Sequence, residues 1–246
     1  MDLGLGGRCF IVSGGSRGLG RATAEVLLAE GADVVIGART TPTSIGATHV
    51  HTVQGDLAAP DTAQRLVDAA LEHHGRLDGA LISVGGPPTG SAMELSDESW
   101  RQSFESVFLG SLRLARTVAA STPEGGALCF VLSGSAKSPI AGLASSNGLR
   151  PGLAMLTKQL ADELGPIGIR VNAVLPGRVA TDRVAELDAS TGDGDAAREA
   201  NSAAIPLRRY GEPAELGRVA AFLLSPAASY VTGSLVPVDG GALRAL

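Results

Sequence analysis

Directly after its first apolar run the chain reads Ser13-Gly14-Gly15-Ser16-Arg17-Gly18-Leu19-Gly20. This stretch lies between a predicted strand and a predicted helix. Glycines at such a junction permit a tight turn and let the backbone approach a diphosphate. The free N–H groups and the positive end of the helix dipole then face that anion. The stretch predicts a nucleotide-binding loop, with an ordinary turn as the alternative. Its predicted contact residues are Gly14, Ser16, Arg17, Gly18, Leu19 and Gly20.

Short apolar runs alternate with longer helical patterns along the rest of the chain. The predicted strands are Cys9–Ser13, Asp33–Gly37, His49–Gln54, Ala80–Ser83, Leu128–Ser133, Ile169–Leu175 and Leu235–Val238. The predicted helices are Leu19–Glu30, Thr62–His73, Asp97–Ala120, Gly152–Leu164 and Pro213–Leu224. Such alternation implies right-handed βαβ crossovers. We expect an α/β fold of the Rossmann type, a doubly wound parallel sheet in three layers, with residues 1–246 as one domain.

One stretch lacks a clear pattern. Asp188–Ser202 is small and polar, which is typical of a mobile insertion. We expect residues 182–206 to form a lid over the substrate.

Composition and charge limit the possible partners and the compartment. The net charge is −5, and the sequence has no dense run of Lys and Arg. We therefore expect neither nucleic acid nor anionic membrane as a partner. Cys9 and Cys129 lie inside apolar runs and predict buried free thiols. His49 and His51 share a strand face without further ligands, so no metal site is predicted. With no signal-peptide pattern and no run of ~18 apolar residues, we expect a cytoplasmic protein.

The end of the second strand distinguishes between the two nicotinamide coenzymes. In NAD-binding folds an acidic residue there normally holds the ribose 2′-OH. Here the strand ends at Arg39 with no acid, and Arg17 and Arg39 are placed to bind a 2′-phosphate. Two solvated surface arginines are the alternative. The pattern favours NADP(H) over NAD(H). Asp56 and Leu57, after the third strand, are placed at the adenine, although Asp56 equally suits a helix start.

Later motifs resemble the short-chain dehydrogenase/reductase family over nearly the whole chain. They are Leu156–Leu164, Gly168–Ala173, Pro176-Gly177 with Thr181, Val231-Thr232-Gly233 and Val238–Gly241. The resemblance implies a small carbonyl or alcohol substrate and a homodimer or homotetramer. Leu109, Leu112 and Leu114 give an apolar helix face that suits either an interface or an ordinary core. Thr181 as a helix N-cap is the local alternative to a coenzyme contact. The residues that the resemblance places at the nicotinamide side are Ser83, Gly85, Pro176, Gly177 and Thr181.

The positions that carry the chemistry depart from the family pattern. Members carry Tyr-x-x-x-Lys, an earlier Ser and a helix Asn, because hydride transfer to a carbonyl must be matched by a proton. Aligned to that pattern, Ser146 stands at the Tyr position, Arg150 at the Lys position and Val107 at the Asn position. The Ser is retained as Ser133, or as Ser135 if the loop shifts by two. The predicted catalytic residues are therefore Ser133, Ser146 and Arg150, with a helix N-cap as the alternative for Ser146.

Two further residues affect this prediction. Pro151 costs about 3 kcal/mol inside a helix, so we expect the helix to begin near Gly152, which would displace Ser146 and Arg150. Lys137 is a candidate proton donor, with a surface lysine as the alternative. The chain is also similar to a divergent branch of the family whose members resemble β-ketoacyl carrier-protein reductases. Two functions remain open: an NADP(H)-dependent oxidoreductase with an altered proton path, and a catalytically silent NADP(H)-binding protein that acts through a partner.

Overall fold

Seven parallel strands form one sheet in the order β3-β2-β1-β4-β5-β6-β7. The computed structural model describes residues 2–40, 49–190 and 192–245. The strands are β1 (Cys9–Ser13), β2 (Asp33–Ala38), β3 (Val50–Gln54), β4 (Gly79–Ile82), β5 (Ala127–Val131), β6 (Arg170–Pro176) and β7 (Leu235–Val238). The helices are α1 (Gly18–Ala29), α2 (Thr62–His74), α3 (Asp97–Ser103), α4 (Gly110–Ser121), α5 (Ala144–Leu164), α6 (Asp182–Ala189), α7 (Gly194–Ala204) and α8 (Pro213–Leu224). A π-helical segment, Phe104–Leu109, joins α3 to α4, and short 3-10 turns span Gly134–Ala136, Gly165–Ile167 and Pro226–Ala228.

Helices cover both faces of the sheet, which confirms the predicted three-layer fold. Side chains of α2, α4 and α5 form one apolar layer with the sheet, and those of α1 and α8 form the other. Strands β1 and β5 are buried along their whole length, and for this reason they appear in the sequence as continuous apolar runs. Leu114 is fully buried in the first layer, so this leucine belongs to the core.

The two cysteines are buried free thiols, as predicted. Burial raises the pKa of Cys9 to about 12, and it raises the pKa of Cys129 to about 12 as well. Both thiols therefore stay protonated at neutral pH and contribute to the core as small apolar groups. Across the described ranges, every helix is too short or too polar to cross a bilayer.

Helix α5 begins at Ala144 and contains Pro151, so the predicted later start is wrong. Leu149 and Leu153, on either side of the proline, are buried. Each buried leucine contributes about 1.5–3 kcal/mol, which offsets the cost of about 3 kcal/mol that Pro151 imposes. A Cβ on Gly152 would lie 2.8 Å from the Phe108 ring, so this glycine lets α5 approach the π-helical segment closely. Tertiary packing thus overrides the local preference.

The predicted lid also differs from expectation, because it contains two helices rather than irregular chain. Thr181 caps α6 by accepting a hydrogen bond from the backbone N–H of Val184 at 3.4 Å. Asp193 caps α7 in the same way, through the N–H of Ala196 at 3.0 Å. The Ala, Arg and Glu residues that follow each of these caps are good helix formers. Thr191, within the predicted lid, lies outside the described residues.

Candidate active site

A cleft of about 2030 Å³ lies at the carboxyl ends of the strands. It opens beside β1 and β4, where the chain changes from adding strands on one side of the sheet to adding them on the other. Ligands of doubly wound sheets bind at such a switch point. All the residues predicted for the coenzyme line this cleft, namely Gly14, Ser16, Arg17, Gly18, Leu19, Gly20, Arg39, Asp56, Leu57, Ser83, Gly85, Pro176, Gly177 and Thr181. The predicted catalytic residues line it too, namely Ser133, Ser146 and Arg150.

The glycine-rich loop is packed too closely to admit side chains at two positions. Gly14 has a φ of +62°, and a Cβ on it would lie 2.7 Å from the carbonyl oxygen of Ser83. A Cβ on Gly20 would lie 2.3 Å from the carbonyl oxygen of Gly14. The Ser13 hydroxyl donates to the Ser83 carbonyl at 2.8 Å and accepts from the Ser83 N–H at 2.9 Å. These contacts fix the loop against the end of β4.

The start of α1 has the properties of an anion site. Its N-cap residue, Arg17, makes no capping hydrogen bond through its side chain, and the first turn carries no acidic residue. Without a capping side chain, the N–H groups of the first turn remain available to a ligand, and the helix dipole favours a negative charge there. The close-packed glycines and the uncapped helix therefore fit the diphosphate of a dinucleotide.

The two arginines predicted for the 2′-phosphate lie at the mouth of the cleft. The Arg39 guanidinium approaches Gly85, with Nη2 3.7 Å from the position of a Cβ on that glycine. Arg17 Nη1 lies 3.9 Å from Glu186 of α6, and both side chains are more than half exposed. An ion pair this long and this exposed contributes little and is easily exchanged for another anion. Both guanidinium groups are therefore accessible to a ligand.

Asp56 is exposed on the cleft wall, and its carboxylate accepts a hydrogen bond from the N–H of Ala58 at 2.9 Å. Helix α2 starts later, with Asp61 as its N-cap. The interpretation of Asp56 as a helix-start residue is therefore wrong, since this residue closes a turn. Thr181 caps α6, as the local alternative predicted, and its Cγ2 lies 3.7 Å from the position of a Cβ on Gly18.

Three serines lie together at the floor of the cleft. The hydroxyls of Ser135 and Ser146 form a buried hydrogen bond of 2.9 Å. The Ser133 hydroxyl accepts from the N–H of Ser135 at 3.1 Å. Ser146 lies inside α5, whose N-cap is Leu143, so the interpretation of Ser146 as an N-cap is wrong. Ser133 and Ser146 line the cleft, and Ser135 lies behind them as a positioning residue. The sequence offered Ser135 only as an alternative alignment.

Arg150 is buried beside these serines. Its side chain is 5% exposed, and Nη1 donates to the carbonyl oxygen of Val131 at 2.7 Å. Its Nε is buried without a hydrogen-bond partner. Burial lowers the pKa of Arg150 to about 10, so the guanidinium remains charged at neutral pH.

Four other residues bear on the proton path, and none of them lines the cleft. Lys137 is exposed and does not line the cleft, so the structure gives it no part in proton donation. Tyr210 is buried, and its hydroxyl donates to Asp188 at 2.9 Å. Tyr230 is fully exposed. Val107 is buried within the π-helical segment. The described residues therefore place neither tyrosine at the floor of the cleft.

The histidines lie at the β3 edge of the sheet. The rings of His51 and His73 stack with their centroids 3.7 Å apart, and His49 Nδ1 lies 2.6 Å from Asp33. Within the described ranges, no group of three or more His, Cys, Asp or Glu side chains is arranged to hold a metal ion. The pairs His51–His73 and His49–Asp33 are edge contacts between β2, β3 and α2.

Residues 14–242 match the profile of a family described as Enoyl-(Acyl carrier protein) reductase. The chain belongs to the short-chain dehydrogenase/reductase family. It is 35% identical to an L-rhamnose 1-dehydrogenase (NAD(P)(+)) of Azotobacter vinelandii, over 95% of this chain and 96% of that protein. It is 29% identical to the 3-oxoacyl-[acyl-carrier-protein] reductase MabA of Mycobacterium tuberculosis, over 95% of this chain and 92% of that protein.

A solved member of the short-chain dehydrogenase/reductase family has nearly the same fold. It is the L-sorbose reductase of Gluconobacter frateurii, solved with NADPH and L-sorbose. The two chains superpose with a TM-score of 0.92 at 29% identity, and the match covers 100% of each. Relatives of this chain are thus oxidoreductases, and a neighbour in structure binds NADPH.

Proposed function

We propose that the protein is an NADP(H)-dependent oxidoreductase that reduces a small carbonyl compound, or oxidises the alcohol, without a tyrosine as proton donor. One observation supports this most directly: the cleft that holds the glycine-rich loop also holds Ser133, Ser146 and Arg150 at its floor. A protein that only bound the coenzyme would not need a polar floor built from two serine hydroxyls and a buried guanidinium.

The coenzyme would bind through the residues that the cleft brings together. The glycine loop and the start of α1 would hold the diphosphate. Arg17 and Arg39, at the mouth, would hold a 2′-phosphate, which a guanidinium binds through two parallel hydrogen bonds. Thr181, Pro176 and Gly177 line the far side of the cleft, where the nicotinamide would lie. When bound, the coenzyme supplies or accepts a hydride.

The protein's own residues would orient the substrate and manage its charge. Ser146 and Ser133 would donate hydrogen bonds to the carbonyl oxygen, and Arg150 would supply positive charge as negative charge builds on that oxygen. A serine hydroxyl and a guanidinium are both poor acids at neutral pH. The proton that the oxygen gains would therefore come from water admitted to the cleft.

We also propose that residues 182–206 act as a lid. The first turn of α6 lies over the loop after β4, where Arg183 Nη2 donates to the carbonyl oxygen of Pro87 at 3.2 Å. No sequence pattern indicated a role for Arg183. Asp188 is the only buried residue that the structure describes in α6 and α7. Ile205, just after α7, is also buried and would anchor the end of the lid. A homodimer or homotetramer stays part of this proposal.

The proposed activity can be tested by measuring NADPH consumption across a panel of ketones, 2-oxo acids and acyl thioesters. Replacing Ser133 or Ser146 by alanine should lower kcat/KM about 10- to 100-fold, because each change removes a donor to the carbonyl oxygen. Ser229→Ala is the matched control, since Ser229 is exposed and lies outside the cleft. Tight NADPH binding without turnover of any compound would instead favour a silent coenzyme-binding protein.

A further inference from the structure

Arg150 has more hydrogen-bond donors than the protein satisfies. Nη1 is held by the Val131 carbonyl, whereas Nε is buried without an acceptor, and no described residue accepts from Nη2. In a guanidinium the Nε–H and one Nη2–H lie side by side and form a fork. Because Nε is enclosed by protein, only the Nη2 side of this fork can meet a ligand in the cleft.

The positive charge of Arg150 is also unbalanced. No carboxylate of the described residues lies within ion-pair distance of the guanidinium, and no acidic group affects its pKa. In contrast, Arg178, which also lines the cleft, is paired with Asp188 at 2.7 Å. Burying a charge without a partner is costly. The cost is relieved if a ligand brings the negative charge into the cleft.

Arg150 and Ser146 are four residues apart in α5, so they lie on the same face of the helix. Both residues line the cleft. We propose that the substrate carries a carboxylate, which Nη2 of Arg150 binds while Ser146 holds the reacting carbonyl oxygen one helical turn away. The substrate class is then that of small oxo acids. This inference rests on the proposed function, since it concerns the same cleft.

A neutral ligand explains the two observations less well. The hydroxyls of a nicotinamide ribose could accept a hydrogen bond from Nη2 of Arg150, but they would leave the positive charge of the guanidinium uncompensated. The two possibilities predict different effects of the same substitution. If Arg150 binds the ribose, its loss weakens NADPH; if it binds a substrate carboxylate, its loss weakens the carboxylate and leaves NADPH nearly unchanged.

The test uses oxamate, an unreactive analogue of a 2-oxo acid, and malonate, with ethyl oxamate as the uncharged match. Each is titrated by calorimetry into the chain with saturating NADPH and into the chain alone. We expect oxamate or malonate to bind at least about tenfold more tightly than ethyl oxamate. Arg150→Met should weaken that carboxylate about thirtyfold or more and change NADPH affinity less than about threefold. Arg150→Lys keeps the positive charge but not the planar guanidinium, so its carboxylate affinity should lie between those of wild type and Arg150→Met.

Thermal unfolding provides a second readout. Because Arg150→Met removes an unpaired buried charge, the free protein should unfold at a higher temperature than wild type, and the stabilisation by oxamate or malonate should disappear. Arg218→Met is the matched control, since Arg218 is exposed and outside the cleft; it should change neither quantity.

Three results would overturn the inference: equal affinity for oxamate and ethyl oxamate, no binding of either carboxylate to a chain that binds NADPH, or an Arg150→Met protein that loses NADPH but keeps the carboxylate. The failure of the proposed function is recognised separately, because wild type would then bind no NADPH or would consume none with any compound of the panel. In that case the titration into the chain alone decides the inference.

Discussion

Replacing Ser146 by tyrosine and Arg150 by lysine together is expected to raise the reduction of a neutral ketone by NADPH about 100- to 10,000-fold. A positioned general acid contributes about this much. Helix α5 runs unbroken through both positions, so the two side chains would lie one turn apart on the cleft side. The lysine ammonium would lower the pKa of the new phenol and so make it a better acid. NADPH oxidation with cyclohexanone measures the gain.

The matched control is Ser146→Phe with Arg150→Lys, which has the same bulk at position 146 but no hydroxyl. It should stay at or below the wild-type rate with the neutral ketone. If the tyrosine and phenylalanine proteins react at the same rate, the phenol does not reach the substrate, and the proposed placement of Ser146 at the reacting oxygen is wrong.

Gly20→Ala is expected to weaken NADPH binding about 100-fold or more and to lower the thermal stability. The added Cβ would lie 2.3 Å from the Gly14 carbonyl oxygen, so the loop must shift. The loop cannot shift freely, because Ser13, next to Gly14, is held to Ser83 by two hydrogen bonds. The N–H groups that face the diphosphate would lose their alignment, and a hundredfold loss corresponds to about 2.7 kcal/mol.

Calorimetric titration with NADPH and thermal unfolding measure the two effects of Gly20→Ala. Gly165→Ala serves as its control, since nothing lies within 4 Å of a Cβ at Gly165 and its backbone is helical. That change should leave the affinity unchanged. An alanine at position 20 with wild-type affinity would show that the glycine-rich loop does not hold the diphosphate.

The parts of the fold that sequence patterns predicted correctly are those set by local physical rules. The run at Cys9–Ser13 forms a strand with the predicted ends, because a strand buried on both faces must be apolar throughout. The run at Leu235–Val238 also has the predicted ends, and it forms the partly exposed edge strand of the sheet. The glycine-rich stretch forms a loop with the expected backbone, since Gly14 and Gly18 both have positive φ. The cleft at the switch point follows from the strand order.

The wrong predictions concern features that depend on contacts distant in sequence. The propensity of Pro151 predicts a late helix start, but Leu149, Leu153 and the approach of Gly152 to Phe108 stabilise an early one. In α6 and α7 the only apolar residues larger than alanine are Val184 and Leu187, so hydrophobic periodicity is too weak to reveal these helices. Their N-caps, Thr181 and Asp193, were the available signals.

The state of the candidate site could not be predicted from sequence at all. Alignment placed Arg150 at a functional position, but only the three-dimensional structure shows that its Nε lacks a partner and that no carboxylate balances it within the described residues. The Ser135–Ser146 hydrogen bond joins residues on different elements, and their spacing in sequence does not indicate it.

The account depends most on the two arginines and the glycine-rich loop holding a phosphorylated dinucleotide. Titration of the wild-type protein and of Arg39→Ala with NADPH and with NADH, by calorimetry at low ionic strength, tests this directly. We predict that wild type binds NADPH about tenfold or more tightly than NADH, and that Arg39→Ala loses most of this difference while its NADH affinity stays the same. Wild-type protein that releases no heat with either coenzyme, or that binds NADH more tightly, would contradict the account.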